Sequence, residues 1–220
     1  MGCDIHLYVE VRQADGSWKS VDEWVTEDDY FHVPYKKQYY SGRNYDLFAI
    51  LANVRNGYGF AGVKTGEGFN PISEPKGLPA DVSQEVKQCS ENWGADGHSH
   101  GWHTVADLLA FDWTQTTVNQ GWINGETFQR WQWNIEEPPV TYCGGVSGNS
   151  IKHVTVDEMK ALVAACPKND LSSLDSTYCL ASWGIMYSAA AGAYFWTNTI
   201  PRLLRLGKPE DVRIVFFFDN

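Results

Sequence analysis

Cys3-Asp4-Ile5-His6-Leu7-Tyr8-Val9-Glu10-Val11-Arg12 alternates apolar and polar residues. In an extended chain successive side chains point to opposite sides. Ile5, Leu7, Val9 and Val11 therefore share one face, and Asp4, His6, Tyr8, Glu10 and Arg12 share the other. A period of two with β-branched apolar residues reads as a half-buried strand, its second face away from the core. At the far end of the sequence, Asp211 to Phe218 is a strongly apolar run that also reads as a strand. Strands at both ends with helical patterns between them predict an α+β fold. The expected architecture is a mainly antiparallel sheet including the N- and C-terminal strands, packed with several helices, in a single domain spanning 1–220.

Between these ends the signals are local. Asp15-Gly16 supplies a turn, and Trp18 to Val25 reads as a second strand. Asp28 to Gly42 reads as an aromatic loop. Asn44 is positioned to cap a helix over Tyr45 to Val54, where Leu47, Phe48, Ile50, Leu51 and Val54 recur at helical spacing. Asn56 to Asn70 carries five glycines and reads as a sharply turning loop. A short helix is expected over Asp81 to Cys89, and another from the cap Thr104 to about Asp112. Trp122 to Trp133 reads as a hairpin about Asn124-Gly125. Thr155-Val-Asp-Glu158 is a capping box for a helix through about Ala165. Leu180 to Ala193 is expected to be helical, and Pro201 to start a helix ended by Gly207.

The 220 residues carry a formal charge of −10. Neutralising a nucleic-acid backbone needs Lys and Arg, so long nucleic acid is not an expected partner. Between His32 and Ala80, however, six Lys and Arg face three Asp and Glu. That segment suits a small anion such as a nucleotide phosphate, or is simply a solvated basic loop. Five cysteines without a Cys-x-x-Cys pair argue against a thiolate zinc site. With no leader read ahead of the first strand, they are expected to be reduced thiols of a cytosolic protein. No apolar run reaches the roughly 18 residues of a membrane span, so no membrane partner is expected.

Two segments concentrate histidine. Asp4-Ile-His6 puts a carboxylate and an imidazole on one strand face, and Asp96-Gly-His-Ser-His100 is followed by His103. Four of the six histidines lie there. In an extended chain His98 and His100 would face one side together. Imidazole and carboxylate are the donors that divalent cations prefer. Asp4, His6, His98 and His100 are accordingly candidate ligands for a divalent metal, manganese or zinc. His98, His100 and Asp96 are candidate acid–base groups, because imidazole ordinarily titrates near cellular pH. The competing reading is a solvated strand and a loop of hydrogen-bonded histidines. Arg43, Arg55 and Lys64 around the glycine-rich loop are candidates for phosphate, with Tyr45 and Trp102 as further substrate contacts. Gly57-Tyr-Gly59-Phe-Ala-Gly62 spells a dinucleotide fingerprint but follows an expected helix instead of a strand, which argues against that fold.

Met1-Gly-Cys-Asp-Ile-His6, Arg43 to Arg55, Pro71-Ile-Ser-Glu-Pro-Lys-Gly-Leu-Pro79, Asp96-Gly-His-Ser-His100 and Val212 to Asn220 resemble a family of uncharacterised phage and prophage proteins. Asp4-Ile-His6 with Gly97-His-Ser-His100 is also similar to the calcineurin-like metallophosphoesterases. The intervening Gly-Asp and Gly-Asn-His motifs of that family are missing here. The phage likeness implies a protein in the cytoplasm of an infected host cell. Small phage proteins of this kind often counter host defence. Together these point to a metal-assisted phosphodiesterase or hydrolase acting on a nucleotide or cyclic nucleotide that serves as a host immune signal. The alternative is a non-catalytic protein that binds and sequesters such a molecule. A third is a protein–protein inhibitor of a host defence factor, using exposed aromatic residues. A homo-oligomer is expected under the nucleotide readings.

Overall fold

A computed structural model describes residues 2–28, 30–167 and 170–220. It is an α+β protein with a mainly antiparallel sheet built on the strands from the two ends of the sequence. The strands are β1 (Asp4–Arg12), β2 (Trp18–Ser20), β3 (Val25–Glu27), β4 (Tyr30–His32), β5 (His98–Thr104), β6 (Thr116–Asn124), β7 (Lys152–Val154), β8 (Thr177–Met186) and β9 (Val212–Asp219). The α-helices are α1 (Tyr45–Ala52), α2 (Gln84–Trp93), α3 (Val105–Ala110), α4 (Gly125–Trp131), α5 (Val156–Ala165), α6 (Tyr187–Ala190) and α7 (Ile200–Leu204). No helix among the described residues is long and apolar enough to cross a membrane.

The chain forms two compact units. The first comprises Met1–Asn56, Asn70–Trp113 and Ser188–Asn220, and the second comprises Gly57–Phe69 and Thr114–Tyr187.

The first unit is organised by the sheet β2-β1-β9-β5. β1 and β9 run antiparallel in continuous register from Asp4 opposite Asp219 to Val11 opposite Val212. Phe216, Phe217 and Phe218 are fully buried although adjacent residues point to opposite faces. Both faces are therefore covered, each such ring adding roughly 1.5–3 kcal/mol of transfer free energy. Phe48 of α1 packs on Phe218, at 5.1 Å between ring centres. On the other face Val86 and Cys89 of α2 join Tyr8, Val33, Val215 and Phe217. The expectation of a non-core face on β1 is corrected here. Tyr8 and Glu10 are buried, because α2 and the Pro79–Ser83 segment lie over them. Glu10 is tolerated there because it is paired. Arg213, opposite it on β9, donates to it through Nε at 2.6 Å and reaches Asp81 at 2.8 Å. Its guanidinium also lies 4.1 Å from the centre of the Trp18 ring.

Asn44 caps α1, its side chain accepting from the Leu47 amide. Thr104 opens α3 with a capping box. The aromatic loop contains β4 and a 3₁₀ turn, Tyr35–Lys37.

The second unit carries the sheet β6-β8-β7, in which β7 runs parallel to β8. Its core gathers Ile123, Phe128, Trp131, Met159, Cys179 and Trp183. Two expectations are overturned here. The expected Leu180–Ala193 helix is strand β8 as far as Met186, and only Tyr187–Ala190 within it is the short helix α6. From Tyr178 to Met186 the strand pairs with β6, and Thr177, Cys179, Ala181 and Trp183 alternate inward. Pairing on both sides overrides the helical preference of its Ala and Met residues. The expected hairpin at Asn124-Gly125 is a helix start, with Asn124 accepting from the Thr127 amide at 3.0 Å. Asn serves turns and helix caps alike, and Phe128 and Trp131, three apart, both reach the core. In the first unit, the expected strand Trp18 to Val25 stops at Ser20, the chain bends at Asp22, and β3 begins only at Val25.

Asp22 is a buried carboxyl in the first unit that is only partly satisfied. Its Oδ2 accepts from the Val9 amide at 2.7 Å and from Ser20, while Oδ1 is shut off from solvent with no hydrogen-bond partner among the described residues. Burial pushes its carboxyl up to about 7, opposed by those hydrogen bonds. A carboxyl whose folded pKa exceeds its unfolded value favours the fold fully only below the unfolded pKa of about 4. That contribution fades as pH rises toward 7. Asp22→Asn is therefore expected to gain melting temperature over the parent protein progressively from pH 5 to pH 8. Parallel melting curves across that range would contradict this. For the buried pair, Arg213→Met is expected to cost on the order of 3–5 kcal/mol in urea unfolding, since it leaves Glu10 uncompensated. Pairing it with Glu10→Leu should restore most of that loss.

Candidate functional site

At one end of the first unit's sheet, β1 begins, β9 ends and β5 begins. Residues from positions 4–6, 43–55, 90–100 and 217–220 meet there. The antiparallel register makes His6 and Asp219 diagonal neighbours on one face. His6 Nε2 lies 3.0 Å from Asp219 Oδ2, and the two side chains are each 18% exposed. They are thus screened from water yet reachable. The imidazole stacks on Phe217, directly opposite it, at 4.9 Å and meets Trp93 of α2 at 4.2 Å. With Asp219 ionised, the bridging hydrogen belongs to Nε2, which leaves Nδ1 as the basic nitrogen. Asp219 Oδ1 also accepts from the Asp4 amide at 3.0 Å, so the carboxylate is held at both oxygens.

Asp4 turns its carboxylate to Arg43, which donates from Nε at 2.7 Å and again from Nη2 in a two-pronged contact. That guanidinium holds the Asp4 carboxyl below the usual carboxylate range. About half of each side chain remains exposed. Arg55 lies over the Tyr45 ring at 5.8 Å and donates to Asn220 Oδ1 at 2.9 Å. Asn220 Nδ2 in turn donates to His98 Nε2 at 2.9 Å, and the other ring nitrogen meets Ser99 Oγ at 3.0 Å.

His98 and His100 do not face one side together, as an unbroken strand would place them. Between His98 and Gly101 the chain advances three residues while β9 advances two, from Phe218 to Phe216. The extra residue is a bulge, with Ser99 in the left-handed region at φ 52°. His98 consequently stacks over Phe218, and His100 over Phe217, on opposite faces of the sheet. Gly101 follows because any Cβ would come within 2.9 Å of the Phe216 ring. His100 Nε2 meets Ser90 Oγ of α2 at 2.7 Å, and burial lowers its pKa. His103 is a core residue. Its Nε2 donates to the Leu51 carbonyl at 2.8 Å, and burial pulls its pKa down to about 4.

Asp4, His6, His98 and His100 therefore reach one end of the sheet without forming one coordination shell, and no group of three or more His, Cys, Asp or Glu is disposed to hold a metal among the described residues. Asp96 is exposed in the turn Gly94–Asp96. Of the expected phosphate ligands, Arg43 and Arg55 belong to this end of the first unit. Lys64 belongs to the second, bridged to Tyr58. The rings of Tyr45 and Trp102 are already engaged. Arg55 lies over the Tyr45 ring, whose hydroxyl accepts from the Cys3 amide at 3.3 Å, and Lys76 sits 3.8 Å over Trp102.

Asp219, Asn220, Ser90 and Trp93 escaped the sequence reading. The signal for Asp219 lay in the expected pairing of the two end strands, since a partner for β1 brings its own terminal carboxylate beside Asp4 and His6. Nothing comparable marks Ser90 or Trp93.

The chain matches no protein-family model, and no curated protein and no solved structure matches it either.

His103 is expected to stay neutral as acid is added. Its folded pKa lies below the unfolded value, so the fold loses this contribution as pH falls from about 6.5 toward 4. Histidine ring resonances in an NMR titration should show one imidazole that does not move between pH 7.5 and 5. Titration of every histidine near pH 6.5 would contradict the buried placement.

Proposed function

We propose that the protein is a phosphoester hydrolase acting on a nucleotide or cyclic nucleotide, in keeping with the phage-protein resemblance and with a host immune signal as its target. The observation that carries this reading is the His6–Asp219 pair at the end of the sheet, one salt bridge from Arg43. Asp219 holds the imidazole in one orientation and one tautomer. Nδ1 of His6 then takes a proton from the attacking water as the new O–P bond forms. The P–O bond to the leaving oxygen breaks, that oxygen takes up a proton from solvent water, and His6 returns its own proton to solvent. Arg43 serves the phosphoryl oxygens, which replace Asp4 on its fork, a like-for-like exchange of anionic oxygens. Arg55 is a second cation at the same strand ends.

Catalysis is assigned to this acid–base pair in preference to the expected metal set. His98 and His100 lie on opposite faces, and Asp4 would have to leave Arg43 to ligate a cation. One observation favours the second reading, a protein that sequesters the nucleotide unchanged. Asp4, His6, His98, His100 and Asp219 are each hydrogen-bonded within the chain.

Incubation of the pure protein with a panel of linear and cyclic nucleotides, with manganese and separately with chelator, decides between them. Turnover that persists in chelator and falls about 10²–10⁴-fold in His6→Ala is expected. Asp219→Asn should lower it as well, with the fold intact by circular dichroism. Ligand recovered unaltered from a heat-denatured complex would favour sequestration. Activity that survives His6→Ala would remove the proposal.

A further inference from the structure

The rings of the expected substrate contacts Tyr45 and Trp102 are occupied by Arg55 and Lys76, but other aromatic faces in the first unit are open. A cavity of about 330 Å³ is lined by Tyr35, Lys36, Gln38, Ser41, Gly42 and Tyr194. Tyr35 is 72% exposed and Tyr194 is 51% exposed, although each belongs to a helical segment that could have turned its ring inward. Among the described residues Tyr35 has no ring partner and Lys36 no ion-pair partner. Tyr194 is backed by the buried Tyr40 ring at 6.2 Å, which fixes its base while leaving its outer part in solvent. The wall is built of separate segments: the 3₁₀ turn, the loop before α1, and the turn of chain before α7. Its last loop residue, Gly42, is the neighbour of Arg43. The cavity thus combines open aromatic surface, the Lys36 ammonium and the Ser41 hydroxyl, and its loop wall runs directly into Arg43 in the chain.

We propose that this cavity is the base-binding subsite of a nucleoside phosphate. The heteroaromatic ring stacks on Tyr35 and Tyr194, Ser41 meets its polar edge, and Lys36 with Arg43 meets the phosphate. Stacking on aromatic side chains tolerates any base, because every base has a π-face, so the subsite selects for nucleotides over sugar phosphates more than for one base over another. A simple phosphate would use the cations and ignore the rings, which is why the two tyrosines discriminate. This inference rests on the reading of the protein as a nucleotide-handling one and adds where the base sits.

The test is calorimetric titration of the full chain with AMP, GMP, CMP, UMP and ribose 5-phosphate. Nucleotides are expected to bind more tightly than ribose 5-phosphate. The double variant Tyr35→Ala with Tyr194→Ala should weaken them about tenfold or more, and Lys36→Gln should weaken nucleotides and sugar phosphate alike. His6→Ala should retain binding. Both tyrosines are exposed, so the variants are expected to melt with the parent protein. Nucleotide affinity unchanged in the double variant, ribose 5-phosphate bound as tightly as nucleotides, or no binding of any nucleotide would each overturn the subsite. The hydrolase reading stands or falls separately, on turnover and its loss in His6→Ala.

Discussion

The antiparallel pairing of β1 with β9 is the constraint on which the rest depends. It joins residues some two hundred positions apart in eight consecutive pairs. Because a strand alternates its side chains, this register decides every subsequent contact at both ends of the sheet. A slip of one residue would move His6 away from Asp219 and Glu10 away from Arg213 together. The buried phenylalanines of β9 resist such a slip, since each fits beneath a particular helix: Phe218 under α1, Phe217 under α2.

The two ends of that pairing treat charge in opposite ways. At one end Glu10 and Arg213 are sealed beneath Trp18 and the segment at Asp81, where an ion pair is worth most as a specifier of register and least as a reactive group. At the other end Asp4, His6, Arg43 and Asp219 keep part of their surface in water. Reactive chemistry needs access as well as orientation, so the second end is where a substrate can be met. The bulge at Ser99 contributes to the same division. It sends His98 to the Arg55–Asn220 side and His100 to the α2 side, where His100 joins His6 over Phe217.

Much of this was legible in the residues. The alternation from Asp4 to Arg12, the apolar run of β9 and the caps at Asn44, Thr104 and Thr155 all settle their own structure through local chemistry. What was not legible depends on partners distant in sequence. β8 is a strand because β6 and β7 flank it, which its own Ala, Met and Ile content does not reveal. The burial of Tyr8 and Glu10 follows from α2 lying on that face, and alternation alone reports two faces without saying how many are covered. Asn124 fits a hairpin and a helix cap equally well until Phe128 and Trp131 find the core. At the site, the histidines and arginines announced themselves by type and clustering. Their pairing did not, because a single bulge residue, invisible in composition, decides which face each imidazole occupies.

The register of β1 and β9 locks the His6 imidazole onto Asp219 through Nε2 and leaves Nδ1 as the other ring nitrogen. Nitrogen-15 NMR of the histidine side chains tests it most directly. His6 is expected to show the Nε2–H tautomer, a state that Asp219→Asn disturbs. A His6 ring exchanging freely between tautomers like a solvated imidazole, and indifferent to Asp219→Asn, would contradict it.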